Sequence, residues 1–297
     1  MARVLKNRLR VVVLVSTDCS DLYFANTLIK DLGVVGVFVE RQDTGRANGP
    51  GLLSKALRYS SRPGLVIKKI SDAYYHRRYG SRALKIAVEG FGREGLEISP
   101  HEGLKVVYTE KANDINNPVY AEEIKRLRPD VIAVCGTSIL KRPILMIPAK
   151  GVLNLHGGLS EEYRGVWTTL WAVYNGEPWK IGATVHYVSE GIDDGNIIYQ
   201  GRPEISADDN HETLYVKVVK LGTTLMIRAI SDIQDGSVKS FPLLKKGKLY
   251  LRKDVTPRVI AEVWKKIDRG FIRDYAQGSQ SRVADKRLTE HGSSGDI

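Results

Sequence analysis

Cysteine is scarce: Cys19 and Cys135 are the only two in 297 residues. Two thiols make neither a disulfide framework nor a zinc site by themselves, so the fold must rest on its apolar core. A reducing cytoplasm is the expected setting. Long apolar runs are missing as well. No stretch approaches the roughly 18 to 20 apolar residues that a membrane-spanning helix needs. The amino terminus, Met1-Ala2-Arg3-Val4-Leu5-Lys6-Asn7-Arg8, is basic, but the run behind it is short and β-branched. That suits a first strand and not a secretory leader. Acidic residues are in deficit, 34 against 45 Lys and Arg, which leaves a net charge of +11. Such an excess fits nucleic acid, an acidic membrane surface or small phosphorylated ligands, and it equally fits plain solubility.

What remains is the composition of a soluble globular chain long enough for one large or two modest domains. Arg10 to Ser16 reads as a buried strand, followed by the polar turn Thr17-Asp18-Cys19-Ser20-Asp21. Leu22, Phe24, Ala25, Leu28 and Ile29 recur at helical spacing, with Ser20 or Asp21 as N-cap, and Val34 to Val39 is a second strand. A right-handed crossover makes the two strands parallel. Further strands are expected at Leu104–Tyr108, Asp130–Gly136, Gly151–His156, Ile181–Val188 and Asn196–Gln200. Helices are expected at Val119–Leu127, Pro143–Ile147, Thr168–Tyr174, from Asp208-Asp209-Asn210 to about Asp235, and at Pro257–Ile267. Strands alternating with helices predict an α/β fold with a mostly parallel central sheet flanked by helices. Cys135 sits in an apolar run and reads as a core thiol.

Between about residues 41 and 103 the pattern lapses. Gly45, Gly49, Pro50 and Gly51 come first, then Lys55, Arg58, Arg62, Lys68, Lys69, Arg77, Arg78, Arg82, Lys85 and Arg93 among Tyr59, Tyr74, Tyr75 and Tyr79. This basic insertion either covers a ligand site and holds phosphates, or is a solvated face of short helices over packed tyrosines. The catalytic domain is expected over 1–235 with this insertion, a helical extension over 236–276, and a disordered polar tail over 277–297.

The chain is organised around Val152-Leu153-Asn154-Leu155-His156-Gly157-Gly158. Asn154 and His156 are two apart on a strand and share a face at its carboxyl end, where open parallel sheets bind ligands. Asn154-x-His156, then Arg164-Gly165, then Asp193-x-Gly195 resembles the signature of folate-dependent formyltransferases. That family includes the glycinamide ribonucleotide, methionyl-tRNA and sugar N-formyltransferases. Gly182 to Gln200 is especially similar, and the resemblance runs over Val11–Val39 and Val106–Asp235.

The resemblance implies a Rossmann-like formyltransferase fold that uses N10-formyltetrahydrofolate as formyl donor and needs no metal. By position, Asn154 would hydrogen-bond the formyl oxygen. His156 would stabilise the oxyanion and move protons, and Asp193 would orient the imidazole or relay the proton of the attacking amine. The chemistry asks for the same groups, since an oxyanion needs preorganised donors and the two nitrogens must exchange a proton. The folate pocket would take in Gly136, Thr137, Ser138, Ile139 and Leu140, with Gly191 and Ile192, whose backbone groups read the pterin ring in the family. Ser16, Asp18, Ser20, Gly157, Gly158 and Arg164 would line the acceptor side, and Asp194 would face solvent.

Departures from the family pattern bear on the acceptor. After the histidine the family commonly has Ala/Pro-Ser-Leu-Leu-Pro; here Gly158 replaces the serine and Glu161 the proline. The first turn after a strand lacks the glycines that cradle a phosphate in glycinamide ribonucleotide enzymes, and carries Asp18 and Asp21. A small-molecule primary amine, most simply a nucleotide-linked amino sugar, is therefore the expected acceptor and partner, with a homodimer allowed for. The alternatives are a formyltetrahydrofolate hydrolase, which often carries an amino-terminal regulatory domain, and a methionyl-tRNA formyltransferase. For the latter, the residues after Asp235 are too few for its usual β-barrel domain. A nucleic-acid binder on a degenerate scaffold fits least, because Asn154, His156 and Asp193 are all present.

Overall fold

Six successive buried residues, Val11–Ser16, form the first strand, β1, third in order across a seven-stranded sheet. The structure is a computed structural model that describes residues 8–42, 74, 81–189 and 191–278. In chain order β1 is followed by α1 (Cys19–Asp31), β2 (Val34–Arg41), α2 (Ser81–Phe91) and β3 (Lys105–Ala112). Next come α3 (Pro118–Arg126), β4 (Val131–Cys135), the single turn α4 (Arg142–Leu145) and β5 (Val152–His156). The short strand β6 (Tyr163–Gly165) leads to α5 (Thr168–Asn175), β7 (Ala183–Tyr187), β8 (Ile197–Gly201) and the long α6 (His211–Asp235). The described residues close with β9 (Lys248–Tyr250), α7 (Pro257–Asp268) and a helix over 271–278.

The sheet order is β3-β2-β1-β4-β5-β7-β8. The first five strands pair in parallel, and β7 runs antiparallel to both β5 and β8. This is a mostly parallel Rossmann-like sheet, and helices cover both of its faces. Alternation along β1 divides the core between them. Val11, Val13 and Val15 meet α1, α5 and α6 through Phe24, Trp171 and Met226. Val12 and Leu14 meet α3 and α4 through Ile124 and Ile144. The strand order reverses between β1 and β4, which opens a crevice at their carboxyl ends.

Local signals set most boundaries. Asn117 accepts from the Val119 N–H to start α3, and Asn210 and Thr213 form a capping box at α6. Gly176 ends α5 in the left-handed conformation. The start of α1 departs from the sequence reading. Its N-cap is Asp18, whose side chain makes no capping bond, while Ser20 and Asp21 are buried in the first turn. Tertiary partners, not capping, hold them there.

Most of the basic insertion, 43–73 and 75–80, lies outside the described residues, and so do 279–297 of the expected tail. The described end of the insertion is part of the fold: Phe91 of α2 packs on Val216 and Val219 of α6 and lies 5.3 Å from the Tyr23 ring of α1. Residues 277 and 278, read as tail, close the helix over 271–278. Tyr250, Val263 and Ile272 share one core cluster with β1 and α1, so the residues after 235 are packed into the same core. None of the described helices is long and apolar enough to cross a membrane.

Candidate active site

Two elements deliver the polar groups to one point above the carboxyl end of β5. Asn154 and His156 project from β5, and the loop between β7 and β8 brings Asp193 down onto both. Asp193 Oδ2 lies 3.3 Å from His156 Nδ1, and Oδ1 accepts from Asn154 Nδ2 at 3.3 Å. The backbone N–H of Gly165 donates to Oδ2 at 2.8 Å. Two glycines make this approach feasible. Gly165 has φ +84°, and an added Cβ would stand 2.1 Å from the Tyr250 carbonyl; at Gly195 a Cβ would stand 1.8 Å from the Tyr187 carbonyl. The Arg-Gly and Asp-x-Gly motifs are thus backbone requirements that aim Asp193. Asp193 itself sits at φ +48°, a left-handed conformation that aspartate tolerates better than most residues.

Burial would push the Asp193 carboxyl up, but the charge of His156, the His186 ring and the Gly165 N–H outweigh it and hold the group down at about 2. It is therefore a fixed negative charge at any physiological pH. His156 is only 5% exposed. Its Nε2–H donates to the Tyr163 carbonyl at 2.8 Å, while Nδ1 faces the carboxylate. Acceptors at both ring nitrogens suit an imidazolium, which donates from both. Tyr163 is in turn locked by Asn175, which donates to the hydroxyls of Tyr163 and Tyr250 at 2.9 Å, and by Tyr250 stacked on Trp171 at 4.3 Å. β9 pairs in parallel with β6, so a strand from the carboxyl-terminal extension holds the carbonyl that orients His156.

His186 completes the cluster, and the sequence reading missed it. In the antiparallel register His186 lies opposite Asn154 and Thr184 opposite His156. His186 Nδ1–H donates to the Tyr187 carbonyl at 2.8 Å, and Nε2 stands 3.2 Å from Asn154 Nδ2 and 3.7 Å from Asp193 Oδ1. The Asn154 amide nitrogen thus lies beside both His186 and Asp193. Thr184 donates to the Gly158 carbonyl at 2.7 Å and accepts from the Ser160 N–H, pinning the loop after β5. The available signal was Thr184 and His186 alternating on one face of an otherwise apolar strand, Gly182-Ala-Thr-Val-His-Tyr-Val188.

The remaining expected site residues divide clearly. Val134 of β4 is level with Asn154, so the loop Gly136, Thr137, Ser138, Ile139, Leu140 starts beside the cluster; Leu140 is buried in the core and the others reach the surface to differing degrees. Ile192 is tied to Arg164, whose Nη1 donates to its carbonyl at 3.1 Å while Nε donates to Gly247. Arg164 therefore staples two loops, and Gly191 is exposed beside them. Gly157 accepts from Thr168 Oγ1. At Gly158 a Cβ would stand 2.7 Å from His156 Nε2, so the missing serine leaves the imidazole its room. Ser16 and Ser20 do not join the cluster: both are buried and donate to Asp21, at 2.5 and 3.0 Å. Asp18 is exposed at the start of α1. Asp194 does not simply face solvent either; at 13% side-chain exposure it pairs with Lys246 at 2.7 Å and accepts from Ser189. A small cavity lined by Leu9, Val11, Asp31, Ile230 and Gln234 opens at the opposite, amino-terminal end of β1 and holds none of these groups.

The chain is similar to known proteins. The formyl transferase family model matches residues 55–230, more than half of the chain. The methionyl-tRNA formyltransferase of Caldanaerobacter subterraneus subsp. tengcongensis is 32% identical over 143 residues, 48% of this chain and 45% of that protein. The one from Kosmotoga olearia is 38% identical over 122 residues, 41% and 39% of the two chains. The chain thus matches less than half the length of these relatives. Among solved structures, phosphoribosylglycinamide formyltransferase from Anaplasma phagocytophilum superimposes with a TM-score of 0.51 at 16% identity, covering 83% of this chain and all of that one. The N-formyltransferase of Helicobacter canadensis gives 0.50 at 17% identity over 86% and 79% of the two chains. The last two establish the fold alone. The separated Asn-x-His, Arg-Gly and Asp-x-Gly motifs close on one another in space, and with the family model spanning more than half its length this chain belongs to the formyl transferase family.

Proposed function

We propose that this chain transfers the formyl group of N10-formyltetrahydrofolate to the primary amine of a nucleotide-linked amino sugar. The observation that carries the reading is the meeting of Asn154, His156 and Asp193 at one point. The donor supplies an activated formyl carbon and a basic N10. The loop 136–140 beside Asn154 fits such a ligand, because Thr137 Oγ1 is buried there with no hydrogen-bond partner among the described residues.

Asn154 is half-buried, as is Asp193, and carries the N–H that would meet the formyl oxygen. Turning that N–H outward exchanges its bond to Asp193 or His186 for one to the developing oxyanion, which is the stronger acceptor. His156 lends positive charge to the same oxygen. Asp193, anionic throughout, balances the imidazolium and attracts the positive charge that develops on the attacking amine, whose proton passes to the basic N10 as the C–N10 bond breaks.

The acceptor is argued from charge and from what the site excludes. Asp18 at the start of α1 repels a phosphate where a glycine-rich turn would bind one. The H. canadensis protein, whose structure holds folinic acid and dTDP-3-aminofucose, is among the chains that share this fold. A second reading, the amine of methionyl-tRNA, is favoured by the names of the relatives most similar in sequence and by the +11 charge. Release of tetrahydrofolate, followed with the full chain, 10-formyltetrahydrofolate and each amine in turn, separates them. Acceleration by amino-sugar nucleotides is the expected result. Acceleration by methionyl-tRNA alone would transfer the conclusion to tRNA, and turnover with water alone would mark a hydrolase.

A further inference from the structure

β2 reaches the same carboxyl edge of the sheet as β1 and β4, and there it places Glu40, a residue with no exposed surface. Its partners are three neutral donors. Oε1 accepts from the Ile115 N–H at 2.9 Å and from Ser138 Oγ at 2.8 Å, and Oε2 accepts from the Ser138 N–H at 2.6 Å. One carboxylate thus joins the loop after β3 to the loop after β4, across 75 and 98 residues of sequence. Asn116 joins the same loops a second time, donating to the Ile139 carbonyl at 2.9 Å and accepting from the Lys141 N–H at 2.7 Å. A fully buried carboxylate is costly unless its hydrogen bonds are needed, and an apolar side chain would fill the space as well. What an apolar side chain cannot do is fix the height of Ser138 above the sheet.

We propose that Glu40 is the positioning residue of the formyl-donor loop. It consumes the N–H and hydroxyl of Ser138 so that Thr137, whose buried hydroxyl has no partner among the described residues, is left to the donor's flat heteroaromatic ring. The ring is then read by Thr137 and the remaining backbone groups, while Ser138 and the Ile139 carbonyl belong to the fold. The inference rests on the folate reading above.

The test compares the unaltered chain with Glu40→Gln and Ser138→Ala. Glutamine keeps the volume but turns one acceptor into a donor that confronts Ile115 or Ser138. The expected result is a rise in KM for 10-formyltetrahydrofolate of about tenfold for Glu40→Gln and about threefold for Ser138→Ala. The KM for the amine and the saturated rate should stay within about twofold. Amide hydrogen exchange at residues 137–139 should quicken in Glu40→Gln with no ligand present. Calorimetric titration with the stable 5-formyl isomer reports the same loss without turnover. Undiminished affinity in both variants, with the unaltered chain binding, overturns this inference alone. An equal fall in every kinetic parameter together with a lowered Tm also overturns it, since that marks a structural role only. Failure of the unaltered chain to bind the 5-formyl isomer overturns the folate reading and this inference together.

Discussion

Two carboxyls, Asp21 and Asp193, stand on the carboxyl side of one sheet, and burial pushes both toward the neutral form. They end far apart. Asp193 faces His156, His186 and the Gly165 N–H, and it is held at about 2. Asp21 faces the hydroxyls of Ser16 and Ser20 and the thiol of Cys135, with the negative charge of Asp18 nearby, and it is raised to about 6. Neutral donors recover part of the cost of desolvation; a cationic ring recovers all of it and more. The comparison shows that position at the ligand edge does not make a carboxylate part of the chemistry. One is a permanent charge aimed at an imidazole. The other is a packed group beneath Gly136, where an added Cβ would overlap its Oδ2 at 1.8 Å.

The harshest way to break this contrast is Asp193→Asn. The amide can still meet Gly165 and Asn154, but it cannot balance an imidazolium or the charge developing on the amine. Turnover should fall by about 10³-fold at pH 7, the scale of losing a preorganised charge at the reacting centre. The same change at Asp21 should leave turnover within about threefold, because Asp21 touches no member of the cluster. Single-turnover rates on both variants decide it. Equal losses would mean that the two carboxyls share a role, and the assignment of Asp193 would collapse.

Most of the architecture was legible before any coordinates. Strand runs such as Val11–Val15 and helix spacing such as Leu22, Ala25, Leu28 carry their own periodicity. The motif pairs Asn154/His156 and Asp193/Gly195 are local patterns with fixed backbone consequences. What escaped depended on contacts distant in sequence. Ser20 and Asp21 read as equally good caps in their own segment, and only Ser16, Cys135 and Tyr215, which donates to Ser20 at 3.2 Å, reveal a buried cluster. Lys246 withdraws Asp194 from solvent across 52 residues. β6 and β9 pair over three residues each, too short for any periodicity to announce them. His186 was hidden for another reason: one polar residue on a strand reads as a sheet edge until the register sets it opposite Asn154.

His186 offers a milder probe of the Asp193 side. His186→Leu keeps the strand apolar but removes the Nε2 that stands 3.2 Å from Asn154 Nδ2 and 3.7 Å from Asp193 Oδ1. Asn154 should then sample more than one orientation, and turnover should fall by up to about a hundredfold, the cost of an ångström-scale misplacement. The loss should appear in the rate at saturation more than in the KM for either substrate. His186→Asn, which keeps a polar partner on the strand, should restore part of it. A full loss equal to that of Asp193→Asn would instead place His186 among the groups that touch substrate.

The smallest effect concerns stability, and it has opposite signs at the two carboxyls. A folded pKa below 3.8 means that Asp193 stabilises the fold above pH 4 and loses that contribution as pH falls toward 2. Asp21 runs the other way. Its folded pKa lies above the unfolded one, so its contribution is complete below pH 4 and fades as pH climbs through about 6. The difference between 3.8 and about 6 corresponds to roughly 3 kcal/mol. Asp21→Asn removes the titration while retaining an acceptor for one serine. Its unfolding free energy relative to the unaltered chain should therefore improve by about that amount between pH 4 and pH 8, as read from urea unfolding at the two values. The neighbours that feel the Asp21 charge, Cys19, Cys135 and Tyr215, stay protonated over this range, so the difference isolates Asp21. Parallel pH curves would show that Asp21 carries its charge in the folded state as easily as in the unfolded one, and that Ser16 and Ser20 compensate its burial completely.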